Sequence, residues 1–388
     1  IYCITSYLVF IFTKRLFNDS HLACSCALTF FLLPSVMLSS FLISTDILLI
    51  LFWTWCLIQV LKIKENPSYF NFIVFGLLLG LAFLAKYAAL YFLISLALLL
   101  IVEKSFRHAF LASKFKLLIS LLIFLIILSP NILWNYVNNW PTISHTIDNA
   151  SLNKINLNFI GLFGFLSSQI VMVGPVICFG FLLCLNKMIN IGSNEKFLIC
   201  FALPALLIVL IESFLVRAHA NWAAVSLVTL SIFFISIVYK FKRKILYINN
   251  YLNLAIGLML FAMIATNFPL SAFNRISGVK SFVQFLDETN QNNFDNIVIS
   301  DRLLFANLKY EYHSKQLNFY SPYKPGNKIA HHFQLKNALP NNFNNNFILI
   351  GNKDDINYLQ KKIKIKLLDT KLFPFASEKI KIYEVFIN

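Results

Sequence analysis

An α-helical polytopic membrane protein with a small α/β domain at its C-terminal end is the fold class this sequence predicts. Three observations predict it. Of the 388 residues, 58% are hydrophobic and 13% charged, and mean hydropathy is +0.70, a balance typical of membrane bundles rather than soluble domains. Ten apolar runs follow one another before residue 270. The cations between those runs sort by side.

The runs lie near residues 1–13, 21–43, 47–61, 69–85, 87–102, 117–133, 159–185, 197–215, 222–239 and 245–269. Most approach the roughly 20 residues a helix needs to cross the hydrocarbon layer. Runs 47–61 and 87–102 are short, and read as tilted or partly re-entrant spans. About nine to ten transmembrane helices are expected. If the Lys14–Arg15 turn is cytoplasmic, strict alternation puts fourteen Lys and Arg residues inside, the last four being Lys240, Lys242, Arg243 and Lys244. Only Lys86, Lys154 and Arg217 then lie outside before residue 270. That asymmetry obeys the positive-inside rule. The net charge of +16 is therefore a matter of topology and of the tail, and no nucleic-acid partner is implied.

Residues 271–388 differ in kind from residues 1–270. Charged residues and Asn become frequent, and the apolar runs shrink to strand length at 296–300, 347–351, 363–368 and 379–386. Residues 279–289 and 353–362 read as amphipathic helices. The result is a soluble α/β domain, long enough for its own core, which alternation places on the outer side. It contains no cysteine. The seven cysteines, Cys3, Cys24, Cys26, Cys56, Cys178, Cys184 and Cys200, all lie in or beside apolar runs without a C-x-x-C pair, and read as small core residues.

The polar residues left over within the membrane domain collect on the outer side. Asp46, in Ser44-Thr45-Asp46, is a lone carboxylate between two apolar runs, costly unless it sits at the surface or in a wet cavity. Lys86 ends the next outward span. The loop beyond Pro130 carries Trp134, Asn135, Trp140, His145 and Asp148, and the fourth outer connection carries Glu212, Arg217, His219, Asn221 and Trp222. Each has an ordinary explanation. Lys86 and Arg217 can snorkel to headgroups, the tryptophans can anchor at the interface, His145 can be a plain loop residue, and Glu212 can neutralise Arg217.

Their convergence has a chemical sense as well. A lipid-phosphate leaving group needs fixed positive charge at headgroup depth, which Lys86 and Arg217 supply. A sugar ring needs polar side chains and a flat aromatic surface, which Asn135, Asn221, Trp134, Trp140 and Trp222 supply. A carboxylate near the reacting carbon acts as base or stabilises developing positive charge.

Four segments, in order over about residues 1–270, carry a resemblance. They are Ser44-Thr45-Asp46, Gly76-x-x-x-Gly80-Leu81-Ala82-Phe83-Leu84-Ala85-Lys86-Tyr87, Pro130-Asn131-Ile132-Leu133-Trp134-Asn135 followed by Trp140, and His219-Ala220-Asn221-Trp222. Together they resemble the GT-C membrane glycosyltransferases, within them the dolichyl-phosphate-mannose–protein mannosyltransferase-like group that includes aminoarabinose transferases of lipid A. The resemblance implies a GT-C-like multi-pass enzyme of a bacterial inner membrane, with its C-terminal domain in the periplasm. It implies transfer of a sugar, with inversion, from a polyprenyl-phosphate donor to an envelope glycolipid, glycan or protein acceptor. Asp46 would be the second acidic residue of the site and, with His219, its catalytic pair. Lys86 and Arg217 would bind the donor phosphate, and Trp134, Asn135, Trp140, Asn221 and Trp222 the substrates. The family's principal acidic motif lies in the first outer loop, whereas this chain opens on a stretch resembling the end of the second helix. The sequence thus reads as N-terminally truncated, without that helix and loop.

Two other classes compete. A transporter would place paired ionisable residues at mid-membrane and repeat broken helices in two halves, and no such repeat is visible. An inactive fragment or scaffold of such an enzyme would fit the missing first loop. No Gly-rich phosphate loop, H-E-x-x-H or D-x-D motif occurs, which argues against a cytoplasmic nucleotide-sugar donor. No cofactor is expected. For a divalent metal the nearest donors are His145, Asp148 and His219, which lack ligand spacing. His331-His332 reads as a surface pair.

Overall fold

The computed structural model describes residues 1–150, 156–187, 191–266, 278–290, 294–327, 329–376 and 378–387; within helix 141–150 the side chains at 145 and 148–150 are outside the description. The predicted boundary at 270/271, the loop cation Lys154, and the side chains of His145 and Asp148 therefore lie outside the described residues. The chain divides into two compact units, Ile1–Phe261 and Ala262–Asn388.

All ten apolar runs are mainly helical in their described residues. They form α1 (Tyr2–Phe17), α2 (Ser20–Phe31) with α3 (Pro34–Ser39), α4 (Thr45–Glu65), α5 (Tyr69–Ala85), α6 (Leu90–Val102), α8 (Lys114–Val137), α10 (Phe159–Val173) with α11 (Pro175–Leu182), α12 (Ser193–Leu215) and the long α13 (Ser226–Ala265). Two shorter helices, α7 (Lys104–Leu111) and α9 (Pro141–Ala150), lie between them. Among the described residues, four helices are long and apolar enough to cross a membrane singly, or up to six if each bent pair counts as one span.

That count is lower than nine to ten for physical reasons. Pro34, which cannot continue a helix it does not start, splits run 21–43 into two pieces. Gly174-Pro175 does the same to run 159–185, with a bend of 97°. The 40-residue α13 is two runs joined at Lys242, whose backbone (φ −145°, ψ 45°) leaves the helix within the basic cluster.

Polar contacts nevertheless sort the helix ends into two sets. At one end Arg15 pairs with Glu65, Lys196 with Glu103 at 3.5 Å, and Ser193 donates to Glu103 at 2.7 Å. Lys116 there caps the Pro67 carbonyl at 2.5 Å. At the other end Tyr2 accepts from Ser39 at 2.7 Å, Lys86 meets Asp46, and Asn158 donates through its backbone to Phe214 O at 2.7 Å. α13 runs from Ser226, just beyond Asn221, to the basic cluster and back, its return marked by the Phe41–Phe261 ring contact at 5.9 Å. Every contact in these sets joins residues that alternation puts on one side.

The bundle is held by close packing, since burying apolar groups from lipid gains little. Trp53 of α4 meets Phe92 of α6 edge-on at 4.9 Å, and Phe92 meets Phe201 of α12 at 4.8 Å. Gly76 and Gly80 let α5 approach α8. A Cβ on Gly76 would collide with the Ser120 carbonyl, and one on Gly80 would come within 2.8 Å of Ile127. Not every cysteine is in the core. All seven are free, and Cys3 and Cys24 are exposed on helix surfaces.

The second unit contains α14 (Val279–Thr289), β1 (Asn296–Ile299), α15 (Arg302–Glu311), β2 (Asn318–Tyr320), α16 (His332–Lys336), β3 (Phe347–Ile350), β4 (Ile363–Lys371) and β5 (Ile380–Ile387). The sheet order is β2-β1-β3-β5-β4, with β1 parallel to both β2 and β3, and β5 antiparallel to β3 and β4. Alternate residues of a strand face opposite ways. Ile297 and Ile299 accordingly pack with Phe282, Phe305 and Leu308 on one face, and Val298 with Leu339, Leu349 and Ile356 on the other.

All four predicted strands are present. The helix expected at 353–362 is only a single 3-10 turn, Lys353–Ile356, closed by a reciprocal Asn352–Asp355 cap. The surface reading of His331 also fails. Its Nδ1 is buried, and the ring packs 6.0 Å from Phe333.

Candidate functional site

Asp46 lies in the first turn of α4, where a carboxylate is favoured by the helix dipole. Lys86 caps the C-terminus of α5, where a cation is favoured for the same reason. α4 and α5 are antiparallel neighbours, so the start of one meets the end of the other. Lys86 Nζ donates to Asp46 Oδ1 at 2.6 Å, with side chains 28% and 14% exposed. Asn221, arriving from far along the chain, donates through Nδ2 to the other oxygen, Asp46 Oδ2, at 2.9 Å. Three of the predicted site residues thus form one ion-paired, hydrogen-bonded cluster.

A second polar chain begins at the next residue. Tyr87 OH donates to Asn131 Oδ1 at 2.6 Å and accepts from Asn135 Nδ2 at 3.3 Å. Asn135 is buried, and its Oδ1 accepts from the Thr142 hydroxyl and, at 3.4 Å, from the Thr142 amide. Asn135 therefore serves the architecture around Tyr87, with its polar atoms already engaged.

Trp140 sits in an unusual backbone: Asn139 and Trp140 both have positive φ, 60° and 56°, rare for a bulky residue. The amide of Trp140 donates to Asn135 O at 2.7 Å, which fixes this turn between α8 and α9. Trp140 and Trp134 are each about two-fifths exposed, and among the described residues neither makes a side-chain hydrogen bond or a cation–π contact with Asp46 or Lys86.

The segment 217–223 delivers Asn221 to Asp46. His219 is exposed and lies edge-on to Trp222, ring centroids 5.4 Å apart. Trp222 packs with Phe165 of α10 and Val209 of α12, and Gln169 Nε2 donates to Ala220 O at 2.9 Å. The segment is thereby anchored to two helices. Arg217 is exposed, and among the described residues it has no carboxylate partner, so the expected Glu212–Arg217 pair is not formed.

Sequence reasoning missed Tyr87, Asn131, Thr142 and Gln169. Tyr87 and Asn131 stand inside the quoted segments, and their adjacency to Lys86 and Asn135 was the available signal. Among the described residues no group of three His, Cys, Asp or Glu is close enough to hold a metal ion. Chemically the cluster offers a shielded carboxylate and an ammonium it restrains; the exposed Arg217 and the exposed His219 beside Trp222 stand in the segment that delivers Asn221, without a hydrogen bond to the cluster among the described residues.

Residues 1–134, which include Asp46 and Lys86, match the family model for dolichyl-phosphate-mannose-protein mannosyltransferase. Over 243 residues, 62% of this chain, the sequence is 31% identical to lipid A galacturonosyltransferase RgtD of Rhizobium johnstonii, covering 50% of that protein. The chain thus spans about half the length of the curated relative it matches. No solved structure matches. Motif order, helical architecture and both matches agree that this chain is similar, over part of their length, to the GT-C membrane glycosyltransferases of the mannosyltransferase-like group.

Proposed function

We propose that this protein is a glycosyltransferase that moves a sugar from a polyprenyl-phosphate donor to an envelope glycolipid, on the outer face of a bacterial inner membrane. The observation that carries the reading is the Asp46–Lys86–Asn221 cluster, assembled where α4 begins and α5 ends. It is supported by the family match across residues 1–134 and by the lipid A-modifying relative. The outer placement of this end, and of the soluble domain that follows α13, rests on the fourteen-to-three distribution of cations.

In this reaction an acceptor hydroxyl oxygen bonds to the anomeric carbon as the bond from that carbon to the phosphate oxygen breaks. Polyprenyl phosphate leaves with the electron pair, and the hydroxyl proton passes to a base. The leaving phosphate gains negative charge, which nearby cations stabilise selectively in the transition state. Lys86 and Arg217 are those cations. Donor phosphate draws Lys86 from Asp46, so binding of one substrate frees the carboxylate to face the other. His219, Asn221 and Trp222 line the approach.

Membrane vesicles holding the protein, incubated with polyprenyl-phosphate sugars and a lipid A acceptor, test this. The wild type is expected to transfer sugar, while Asp46→Asn, Lys86→Ala and His219→Ala lose at least about 100-fold, the lower bound for removing a positioned acid–base or electrostatic group. Wild-type turnover in all three variants would refute the site. Transfer only from a nucleotide sugar would refute the donor.

A further inference from the structure

The parallel part of the soluble sheet has a topological switch point. From β1 the chain passes through α15 to β2 on one side, while β3 lies on the other. Open α/β sheets take ligands in the crevice outside the carboxyl ends of their strands at such a point. Here that crevice is a cavity of about 480 Å³, within the roughly 300–1,000 Å³ of small-molecule sites. The segments after all three strands line it: Ser300 after β1, Tyr323 and Lys324 after β2, Asp354 after β3.

Part of the lining is fixed by the protein itself. Tyr358 OH donates to Leu339 O at 3.0 Å and accepts from the Tyr323 amide at 3.1 Å, while Tyr323 OH donates to Asn327 O at 2.9 Å. With their hydroxyls engaged, these two tyrosines present rings. Other groups keep spare hydrogen-bonding capacity. Ser300 Oγ is buried and has no partner among the described residues. Asp354 uses Oδ1 on Asn357, at 3.3 Å. Lys324 is exposed at the rim, and no carboxylate pairs with it among the described residues. Gly351 (φ 148°) keeps the Ser300 hydroxyl in place, because a Cβ there would collide with it.

The charge pattern narrows the ligand. Asp354 and Asp355 outnumber Lys324 in the lining, which disfavours a phosphate or a uronate. Mixed donors and acceptors beside aromatic rings suit a neutral polyhydroxyl compound. We propose that this cavity binds a neutral saccharide of one or two residues, hydrogen-bonded by Ser300, Lys324 and Asp354 against Tyr323 and Tyr358. That this saccharide belongs to the acceptor glycan rests on the transfer reaction proposed above; its binding does not.

The test uses the full protein in lipid nanodiscs and saturation-transfer NMR. The probes are glucose, galactose, mannose, N-acetylglucosamine and their disaccharides, with galacturonate and inorganic phosphate as charged counterparts. At least one neutral sugar is expected to saturate, with affinity falling tenfold or more in Lys324→Ala/Asp354→Ala and unchanged in Asp46→Asn. Both altered side chains are exposed, and an unchanged unfolding temperature verifies the fold. No saturable neutral sugar overturns the proposal, as does binding of the charged probes alone. So does a signal that survives the double substitution, whether or not Asp46→Asn removes it. Failure of the transfer assay with binding intact would refute only the reaction.

Discussion

A carboxylate that is 14% exposed at the end of a membrane bundle costs free energy unless something neutralises it, and Lys86 does so. Removing one partner strands the other. Lys86→Ala is expected to destabilise the protein by about 1–3 kcal/mol, the penalty for a partly buried polar group left unmatched. Asp46→Asn combined with Lys86→Gln should recover most of that loss while remaining inactive. Thermal unfolding in detergent reads the stability, and additive losses in the double variant would show that the pair is not coupled. His331 provides a separate test in the second unit. Burial, and then the charge of Arg302, hold its pKa below the usual 6.5. Below pH 6.5 the unfolded chain binds a proton that the folded domain refuses, so stability falls as pH drops through that window. His331→Gln should flatten this dependence in chemical unfolding followed from pH 7.5 to pH 5, a range of about two and a half units around the ordinary histidine pKa. A slope unchanged by the substitution would assign the effect elsewhere.

Helix pairs decide whether the site residues meet. α5 delivers Lys86 and α8 delivers Asn131 and Asn135, and the two helices touch through Gly76 and Gly80, where neither Ser120 nor Ile127 leaves room for a side chain. The Gly76-x-x-x-Gly80 spacing, one of the segments that carry the family resemblance, is in this structure a packing surface. Gly76→Leu should therefore separate α5 from α8 by a side chain's width. It is expected to lower the unfolding temperature and to abolish transfer without touching a polar group. Gly164, whose Cβ would meet nothing within 4 Å, is the control, and Gly164→Ala should be silent. Equal effects at both positions would remove the packing argument.

Across the whole molecule, the two sets of helix ends are expected to face opposite compartments. Single cysteines placed in a cysteine-free background can be labelled from either side of sealed vesicles. Asn138→Cys, at the Asp46 end, should react with an impermeant thiol reagent from outside, and Lys196→Cys only after the membrane is opened. Labelling of both from one side would end the ten-pass reading and the convergence with it.

The sequence by itself determined where the long apolar helices lie, because apolar runs and intervening cations are local and additive along the chain. It also marked four strands of the tail, such as Asn296–Ile299 and Phe347–Ile350, short, apolar and buried on both faces, but not β2, which has a single buried side chain. It named Asp46, Lys86 and Asn221 as separate residues of one face. Only the tertiary structure decided that Asn221 spans 175 positions to reach Asp46, that Asn135 is spent on Tyr87 and Thr142, and that Arg217 has no carboxylate partner among the described residues. Those outcomes depend on helix rotation and on which groups satisfy each other first. Neither leaves a periodic trace in a sequence. The cavity beneath Ser300 was equally hidden, for it exists only where three strand ends, far apart along the chain, come side by side.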